Sequence, residues 1–137
     1  MVYVTRRETF NAAHKLYRTD WNKKKNDEVF GPCANPNWHG HNYTLFVTVK
    51  GKVSKDTGFV INLKELSTII REQIISKVDH KNFNLDVPFM KGILPSAENI
   101  AIAFWKILAP KVTKMGGKLH SIKLQETENN YTEYYGD

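Results

Sequence analysis

Alternation of apolar and polar residues predicts four β-strands in this chain. The segment from Val2 to His14 repeats its apolar side chains at the period of two that a strand requires. The segment from His39 to Val53 has the clearest alternation, and two further strands are predicted from Lys118 to Thr127 and from Tyr131 to Tyr135. On this pattern, one face of the third strand carries His120, Ile122, Leu124 and Glu126.

Two segments instead repeat their apolar residues at helical spacing. The first follows Asn62, which suits an N-cap position, and the second follows Pro95 with Ser96 as its N-cap. The order strand, strand, helix, helix, strand, strand predicts an α+β fold, with helices covering one face of a four-stranded antiparallel sheet. Such a sheet has two free edges, which favours association with other copies of the chain.

A long polar segment from Lys15 to Trp38 separates the first two strands. A connection of this length without structure is unusual in a compact domain, so we expect it to be functional or partly ordered. Its basic run, Lys23-Lys24-Lys25, is interpreted as a solvated loop rather than a docking surface.

Composition indicates an ordinary globular domain spanning residues 1–137. The chain has no apolar run near the roughly 20 residues that a membrane span needs, and no recognisable secretory leader. Its single cysteine, Cys33, excludes an intrachain disulfide, so we expect a cytoplasmic protein without a membrane partner. The formal net charge of +6 suits an anionic partner, either a phosphorylated small molecule or a nucleic acid.

The strongest chemical signal is His39-Gly40-His41. Residues i and i+2 of a strand project to the same side, so both imidazoles could reach one metal ion. His14, at the end of a different predicted strand, could supply a third imidazole, and three neutral imidazoles would leave an open zinc position for water or substrate. The alternative interpretation is two incidental surface histidines at the start of a strand.

Cys33 lies six residues before His39, in the polar segment that leads to these histidines. A lone cysteine is often a small buried apolar residue. Near a metal or cationic groups its thiolate could instead act as a base or nucleophile. It could also be a fourth zinc ligand, which would make the site structural rather than catalytic.

Asp79-His80 follows the first predicted helix. One interpretation is a histidine at a helix C-terminus, where the helix dipole favours positive charge. The other is a proton-relay pair in which the carboxylate orients the imidazole.

Glu126 shares a predicted strand face with Ile122 and Leu124. It could be an edge-strand carboxylate in solvent. A buried carboxylate would instead need partners, and a ligand with a pair of N–H donors could satisfy it through both oxygens.

Four motifs, taken in order, resemble the 6-pyruvoyltetrahydropterin synthase family, which includes the 6-carboxytetrahydropterin synthases. Each motif alone is modest, but the ordered set covers nearly the whole chain and is highly specific. The motifs are Phe10-Asn11-Ala12-Ala13-His14, Phe30-Gly31-Pro32-Cys33 through His39-Gly40-His41-Asn42-Tyr43, Asp79-His80-Lys81-Asn82 followed by Leu85-Asp86-Val87-Pro88, and Glu126-Thr127-Glu128-Asn129-Asn130.

The resemblance implies the T-fold, a four-stranded antiparallel sheet with two helices inserted between the strand pairs. It further implies a homohexamer formed as a dimer of trimers, with active sites at subunit interfaces. The implied Zn²⁺ ligands are His14, His39 and His41. The implied proton-transfer group is Cys33, Asp79 and His80, and Glu126 would anchor a pterin ring.

The family chemistry implies 7,8-dihydroneopterin triphosphate as substrate and 6-pyruvoyltetrahydropterin as product, with triphosphate eliminated. The related 6-carboxytetrahydropterin synthases of queuosine biosynthesis share this substrate but commonly have a shorter gap between the cysteine and the H-G-H motif. Here five residues separate Cys33 from His39, as in biopterin-type enzymes. Family members usually place two hydroxyl residues where this chain has Ser96 and Ala97, so one pterin contact differs.

Two other functions are compatible with parts of the sequence. A zinc-stabilised nucleic-acid-binding domain would use the basic charge, but the aromatic residues are scattered and form no basic-aromatic face. A T-fold relative with other pterin chemistry, such as an aldolase or cyclohydrolase, does not share this layout of cysteine and H-G-H.

Overall fold

A five-stranded sheet forms the centre of the computed structural model, which describes residues 1–137. Its strands are β1 (Val2–His14), β2 (His39–Gly51), β3 (Lys81–Asn82), β4 (Lys118–Thr127) and β5 (Asn130–Tyr134), in the spatial order β3-β1-β2-β4-β5. The four predicted strands are confirmed and pair antiparallel. The expected four-stranded, wholly antiparallel sheet needs one correction, because the two-residue β3 adds a fifth strand that runs parallel to β1.

Helices connect the strand pairs, and both predicted N-caps are confirmed. The helical segments are α1 (Lys23–Phe30), α2 (Leu63–Ile70), α3 (Ser76–Val78) and α4 (Ala97–Lys114), with a π-helical turn at Arg71–Ile75 that joins α2 to α3. The Asn62 side chain accepts hydrogen bonds from the first backbone N–H groups of α2, and Ser96 does the same for α4. These bonds satisfy donors that a helix start leaves free.

The helices pack on one face of the sheet and share a single core with it. Leu45 and Val47 of β2, Leu66 of α2 and Phe104 of α4 are fully buried within one cluster of 24 residues. Burying one such side chain stabilises the fold by roughly 1.5–3 kcal/mol. The predicted inward faces therefore account for the layering of helices on the sheet.

The expectation of a solvated loop at the basic run is wrong, because these lysines begin helix α1. The apolar pattern gives no sign of this helix, since its only buried residue is Asn26. The Asn26 carboxamide accepts a hydrogen bond from the Arg18 backbone N–H at 2.8 Å and donates to the carbonyl oxygens of Arg18 and Asn22. A buried amide, rather than an apolar stripe, therefore orders this segment.

The predicted shared face of β4 is also wrong at His120. A β-bulge leaves His120 out of the pairing between β2 and β4, and Leu119 takes the buried position, with 3% of its surface exposed. His120 instead lies between the rings of Tyr3 and Tyr135, with centroids 4.7 and 5.5 Å away. This histidine is consequently separate from the histidines of β1 and β2.

None of the helices combines the length and apolar character that crossing a bilayer requires.

Candidate metal centre and active site

Three histidines converge at the paired ends of β1 and β2. His14 lies opposite His39 in the antiparallel register, and His41 lies two residues further along the same strand face. Their ring centroids are 4.6 to 5.1 Å apart, and one potential ligand atom from each lies within 4.8 Å of the others. The two strands therefore bring the predicted metal ligands together.

The hydrogen bonding of His14 fixes which of its nitrogens is available. Nδ1 lies 2.7 Å from the carbonyl oxygen of Pro95, which can only accept, so Nδ1 carries the proton. The opposite nitrogen, Nε2, is then an unprotonated acceptor. A carbonyl that orients a histidine in this way is the usual outer support of a metal ligand.

The donor set fits a metal ion. Nε2 of His14, Nδ1 of His39 and Nε2 of His41 are all buried without a hydrogen-bond partner. Buried polar atoms rarely stay unpaired in folded proteins, and a cation bound by one nitrogen from each ring would supply such a partner. Three imidazole nitrogens with no thiolate among them match the ligands of a catalytic zinc site.

Burial also keeps these rings in the form that binds metal. Burial lowers the pKa of His14, His39 and His41, and the nearby Glu126 carboxylate opposes this shift only in part. Neutral imidazoles do not have to lose a proton before a cation binds.

Glu126 lies beside the histidines at a second β-bulge. Gln125 pairs with Tyr131 and Thr127 pairs with Asn130, so Glu126 is left out of the ladder. Its Oε1 is 3.0 Å from Nε2 of His41, although the two atoms are not aligned as a hydrogen bond. With 22% of its side chain exposed, Glu126 is a half-buried carboxylate at the metal centre rather than a solvated edge residue.

Asp79 and His80 are fixed to β1 through Asn11. The Asn11 backbone N–H donates to Oδ1 of Asp79 at 3.0 Å, and the His80 N–H donates to the Asn11 carbonyl at 2.7 Å. The first of these bonds lowers the pKa of Asp79. Oδ2 of Asp79 then lies 3.1 Å from Nδ1 of His80, so the carboxylate orients the imidazole.

His80 has an unusual backbone conformation. Its φ of 60° lies in the left-handed region, where non-glycine residues are uncommon. This conformation leaves 76% of its side chain exposed. Strained residues of this kind concentrate at functional sites, which makes His80 a candidate for chemistry.

A cleft of about 580 Å³ connects this pair to the metal centre. His80 and His41 both line it, together with Gly40 and Asn11. Gly40 adds no side chain to the lining of this cleft. His80 and His41 therefore face the same cavity, and Asp79 acts there only through its contact with His80.

Cys33 lies in a 3₁₀ turn at Gly31–Ala34. Its thiol is half-buried and makes no hydrogen bond, and its carbonyl accepts from the Leu16 N–H at 2.8 Å, two residues after His14. The group of potential metal ligands contains the three histidines and not this thiol. The geometry therefore gives no support to Cys33 as a fourth zinc ligand.

Ser96 directly follows the proline that orients His14. Its Oγ accepts the Asn99 N–H at 3.2 Å as the N-cap of α4 and keeps its own proton free to donate. Sequence analysis missed Pro95, whose contribution is a backbone carbonyl and so leaves no side-chain signal. It also missed Trp38, which precedes His39 with a φ of 60°.

Comparisons with known proteins agree on one family. The family described as 6-pyruvoyl tetrahydropterin synthase matches residues 3–137. A 6-pyruvoyl tetrahydrobiopterin synthase of Dictyostelium discoideum is 41% identical over 99% of this chain and 97% of its own length. The human protein of the same name is 41% identical over 98% of this chain and 91% of its own length.

A solved structure supports the same relationship. The Caenorhabditis elegans 6-pyruvoyl tetrahydropterin synthase superposes with a TM-score of 0.92 at 33% identity, covering 99% of this chain and 96% of that one. Relatives named as 6-carboxy-5,6,7,8-tetrahydropterin synthases are more distant, at 30% and 26% identity.

Proposed function

This chain belongs to the 6-pyruvoyl tetrahydropterin synthase family, and from that premise we propose that it converts 7,8-dihydroneopterin triphosphate to 6-pyruvoyltetrahydropterin. The reaction eliminates triphosphate, which makes the protein a carbon–oxygen lyase. We propose that residues 1–137 form one catalytic domain. The observation that carries the proposal is the convergence of His14, His39 and His41 beside the carboxylate of Glu126.

The pyruvoyl product is favoured over the carboxy product by two observations. The relatives named as pyruvoyl synthases are more similar to this chain than those named as carboxy synthases. The five-residue gap between Cys33 and His39 also has the biopterin-type length. A 6-carboxytetrahydropterin synthase activity on the same substrate is the alternative.

We propose Zn²⁺ as the metal, held by the three histidines. When bound, Zn²⁺ supplies Lewis-acid chemistry to the hydroxyl oxygens of the substrate side chain. The remaining steps belong to side chains around the cleft.

Glu126 is proposed to position the pterin ring. Its two carboxylate oxygens accept the paired N–H donors of the ring, and such two-pronged charge-assisted contacts fix orientation as well as affinity. Ser96 offers a hydroxyl donor at the start of α4 for a further contact. Ala97, which is buried and has no hydroxyl, supplies only backbone groups there.

Proton transfer is assigned to Cys33, Asp79 and His80. Cys33, as the thiolate, takes a proton from a side-chain carbon of the substrate and returns it to the ring. His80 exchanges protons with the substrate while Asp79 holds the imidazole orientation at 3.1 Å. The resemblance implies active sites at subunit interfaces, so these residues need not all belong to one copy.

We propose a homohexamer formed from two trimers, in the cytoplasm. The face of the sheet opposite the helices leaves Tyr3 of β1 and Tyr131 of β5 exposed, at 53% and 58%. Closing the sheet edges of several copies into a barrel would cover that face and remove the open edges. The single free cysteine agrees with a reducing compartment.

Product analysis tests the function directly. Zinc-loaded protein is incubated with 7,8-dihydroneopterin triphosphate, and the pterin products are identified by mass spectrometry. We expect a pyruvoyl side chain and release of triphosphate, and no reaction with dihydroneopterin, which lacks the leaving group. A carboxylated pterin with acetaldehyde would establish the alternative activity, and no turnover would refute both.

A further inference from the structure

Lys15 occupies an unusual position directly beyond the metal centre. It follows His14 on one strand, while Trp38 precedes His39 on the paired strand. The Lys15 ammonium lies 4.8 Å from the ring centroid of Trp38 and 5.4 Å from that of Tyr17. Both separations are within the range of cation–π attraction. Two aromatic rings therefore hold this cation beside the first pair of metal ligands.

The backbone of Lys15 is fixed as well as its side chain. Oδ1 of Asn84 accepts the Lys15 N–H at 2.9 Å, and Nδ2 of Asn84 donates to the Lys15 carbonyl at 3.1 Å. The side-chain amide of Asn84 thus pairs with both the N–H and the carbonyl of Lys15, as the backbone of a neighbouring β-strand would. The lysine is pre-organised before any ligand arrives.

Lys15 has no acidic partner. The ion pairs of the chain engage Arg6, Arg18, Lys23 and Arg71, and two further carboxylates contact histidines. An aromatic ring attracts an ammonium group without neutralising it or accepting all of its N–H donors. A positioned and uncompensated cation therefore lies one residue along the chain from His14.

Trp38 adopts a strained conformation at this position. Its φ of 60° is a clear outlier for a bulky residue, and such strain persists only where the surrounding structure imposes it. In this conformation its ring lies over Lys15. We interpret Trp38 as a positioning residue for the lysine.

We propose that Lys15, held between Tyr17 and Trp38, binds the triphosphate of the substrate. This inference rests on the proposed function and assigns a role to a residue outside its metal and proton-transfer groups. The order of groups along the site supports it: Glu126 lies next to His41, the metal centre follows, and Lys15 comes one residue past His14. The substrate has the same order, with the pterin ring first, then the hydroxylated side chain, then the triphosphate.

A second cleft lies near the residues that hold Lys15. A cleft of about 460 Å³ is lined by Tyr17, Asn84 and Pro95. Tyr17 and Asn84 contact Lys15, and Pro95 holds His14, but neither Lys15 nor a histidine lines this cleft. The charged residues that do line it, Arg18 and Asp20, are paired with each other at 2.6 Å. Lys81 is the competing cation, because it lines the other cleft with His41 and His80. Its ammonium takes part in none of the cation–π contacts, which involve Lys15, Arg18, Lys25 and Lys123.

Equilibrium binding of two non-reactive ligands separates phosphate recognition from pterin recognition. Neopterin and neopterin triphosphate are titrated into the zinc-loaded full chain, and dissociation constants are measured by calorimetry. Lys15→Gln and Lys81→Gln are compared with wild type, and Lys24→Gln on α1 is the matched control for loss of one charge.

We expect Lys15→Gln to weaken neopterin triphosphate about tenfold or more, the effect of removing one charge-assisted hydrogen bond, and to leave neopterin unchanged. Trp38→Gly, which also relieves the positive φ, should weaken the triphosphate ligand alone, and Trp38→Phe should restore it. The proposal is overturned if Lys15→Gln weakens the binding of both ligands equally or weakens the binding of neither. It is also overturned if only Lys81→Gln weakens the binding of neopterin triphosphate.

Inorganic triphosphate distinguishes this inference from the proposed function. If wild type fails to bind neopterin but binds inorganic triphosphate in a Lys15-dependent manner, the anion site stands and the pterin function fails. If inorganic triphosphate binding does not depend on Lys15, the anion site fails whatever the fate of the pterin function.

Discussion

Substitution of His80 should change the stability of the protein and its turnover in different ways. We expect His80→Asn to leave the free energy of unfolding within about 1 kcal/mol of wild type or to raise it. Asparagine tolerates the left-handed conformation that His80 occupies at a φ of 60°. This conformation destabilises most L-residues by about 1–2 kcal/mol, and asparagine and histidine are both enriched in it. The contact between His80 and Asp79 is exposed and contributes at most about 1 kcal/mol, so its loss keeps the change in stability small.

The same substitution should lower kcat strongly. A positioned acid or base typically accelerates a reaction about 10²- to 10⁴-fold, so kcat should fall by that factor if His80 transfers a proton. Urea unfolding measures the stability, and release of triphosphate from the substrate measures kcat. His120→Asn is the matched control, because His120 packs between Tyr3 and Tyr135 away from the cleft and should leave kcat unchanged.

The opposite pattern would refute this account of His80. If His80 served only to end a helix, His80→Asn would lower the free energy of unfolding, because the contacts with Asp79 and the helix dipole would be lost. The kcat of that variant would stay at the wild-type value. Wild-type kcat in a folded His80→Asn protein would therefore remove His80 from the proton-transfer group.

Three further substitutions test other parts of the molecule. Cys33→Ala should abolish triphosphate release while retaining zinc by metal analysis, and loss of the metal would make Cys33 a ligand. Glu126→Gln should weaken neopterin binding by about tenfold or more in calorimetry, because one carboxylate oxygen becomes a donor, and unchanged affinity would contradict its anchoring role. Burial raises the pKa of Glu8, but hydrogen bonds from Ser67 and Arg6 outweigh it and hold that pKa below 4.5. The stabilisation by Glu8 is therefore present above about pH 4.5 and lost as the pH falls through its lowered pKa. Glu8→Gln should cost about 1–2 kcal/mol in urea unfolding at pH 7 and less at pH 3. An equal cost at both pH values would show that the charge is not responsible.

The sequence was informative wherever burial follows a simple period. The alternation in β2 predicted its inward face, and helical spacing with suitable capping residues predicted α2 and α4. The same periodicity placed His39 and His41 on one side of a strand, and the register of β1 brought His14 to them. The two-residue period of β2 and its antiparallel pairing with β1 are sufficient to bring these three histidines together.

The missed features depend on polar or local geometry that leaves no apolar pattern. Helix α1 is organised by the buried amide of Asn26, and β3 is too short to show any period. The bulge at His120 shifts the core position to Leu119, and a one-residue insertion of this kind has no separate sequence signal. The left-handed conformation of Trp38 is likewise invisible in a sequence, since tryptophan rarely adopts it.

Buried charge was missed for a related reason. Glu8 lies on the inward face of β1 with 8% of its surface exposed, where alternation favours an apolar residue. Its carboxylate is satisfied by Ser67, whose Oγ donates at 2.7 Å, and by two arginines. A partner 59 positions away along the chain cannot be identified from local pattern.

Zinc content tests the central claim most directly. Metal analysis of purified wild-type protein should find about one zinc per chain, bound by three imidazoles with an open position. His14→Ala and His39→Ala should each lose that zinc, whereas His120→Ala, which removes a histidine outside the centre, should retain it. Full zinc occupancy in a folded protein lacking both His14 and His39 would contradict the account, because the convergence of these rings would then have no part in holding the metal.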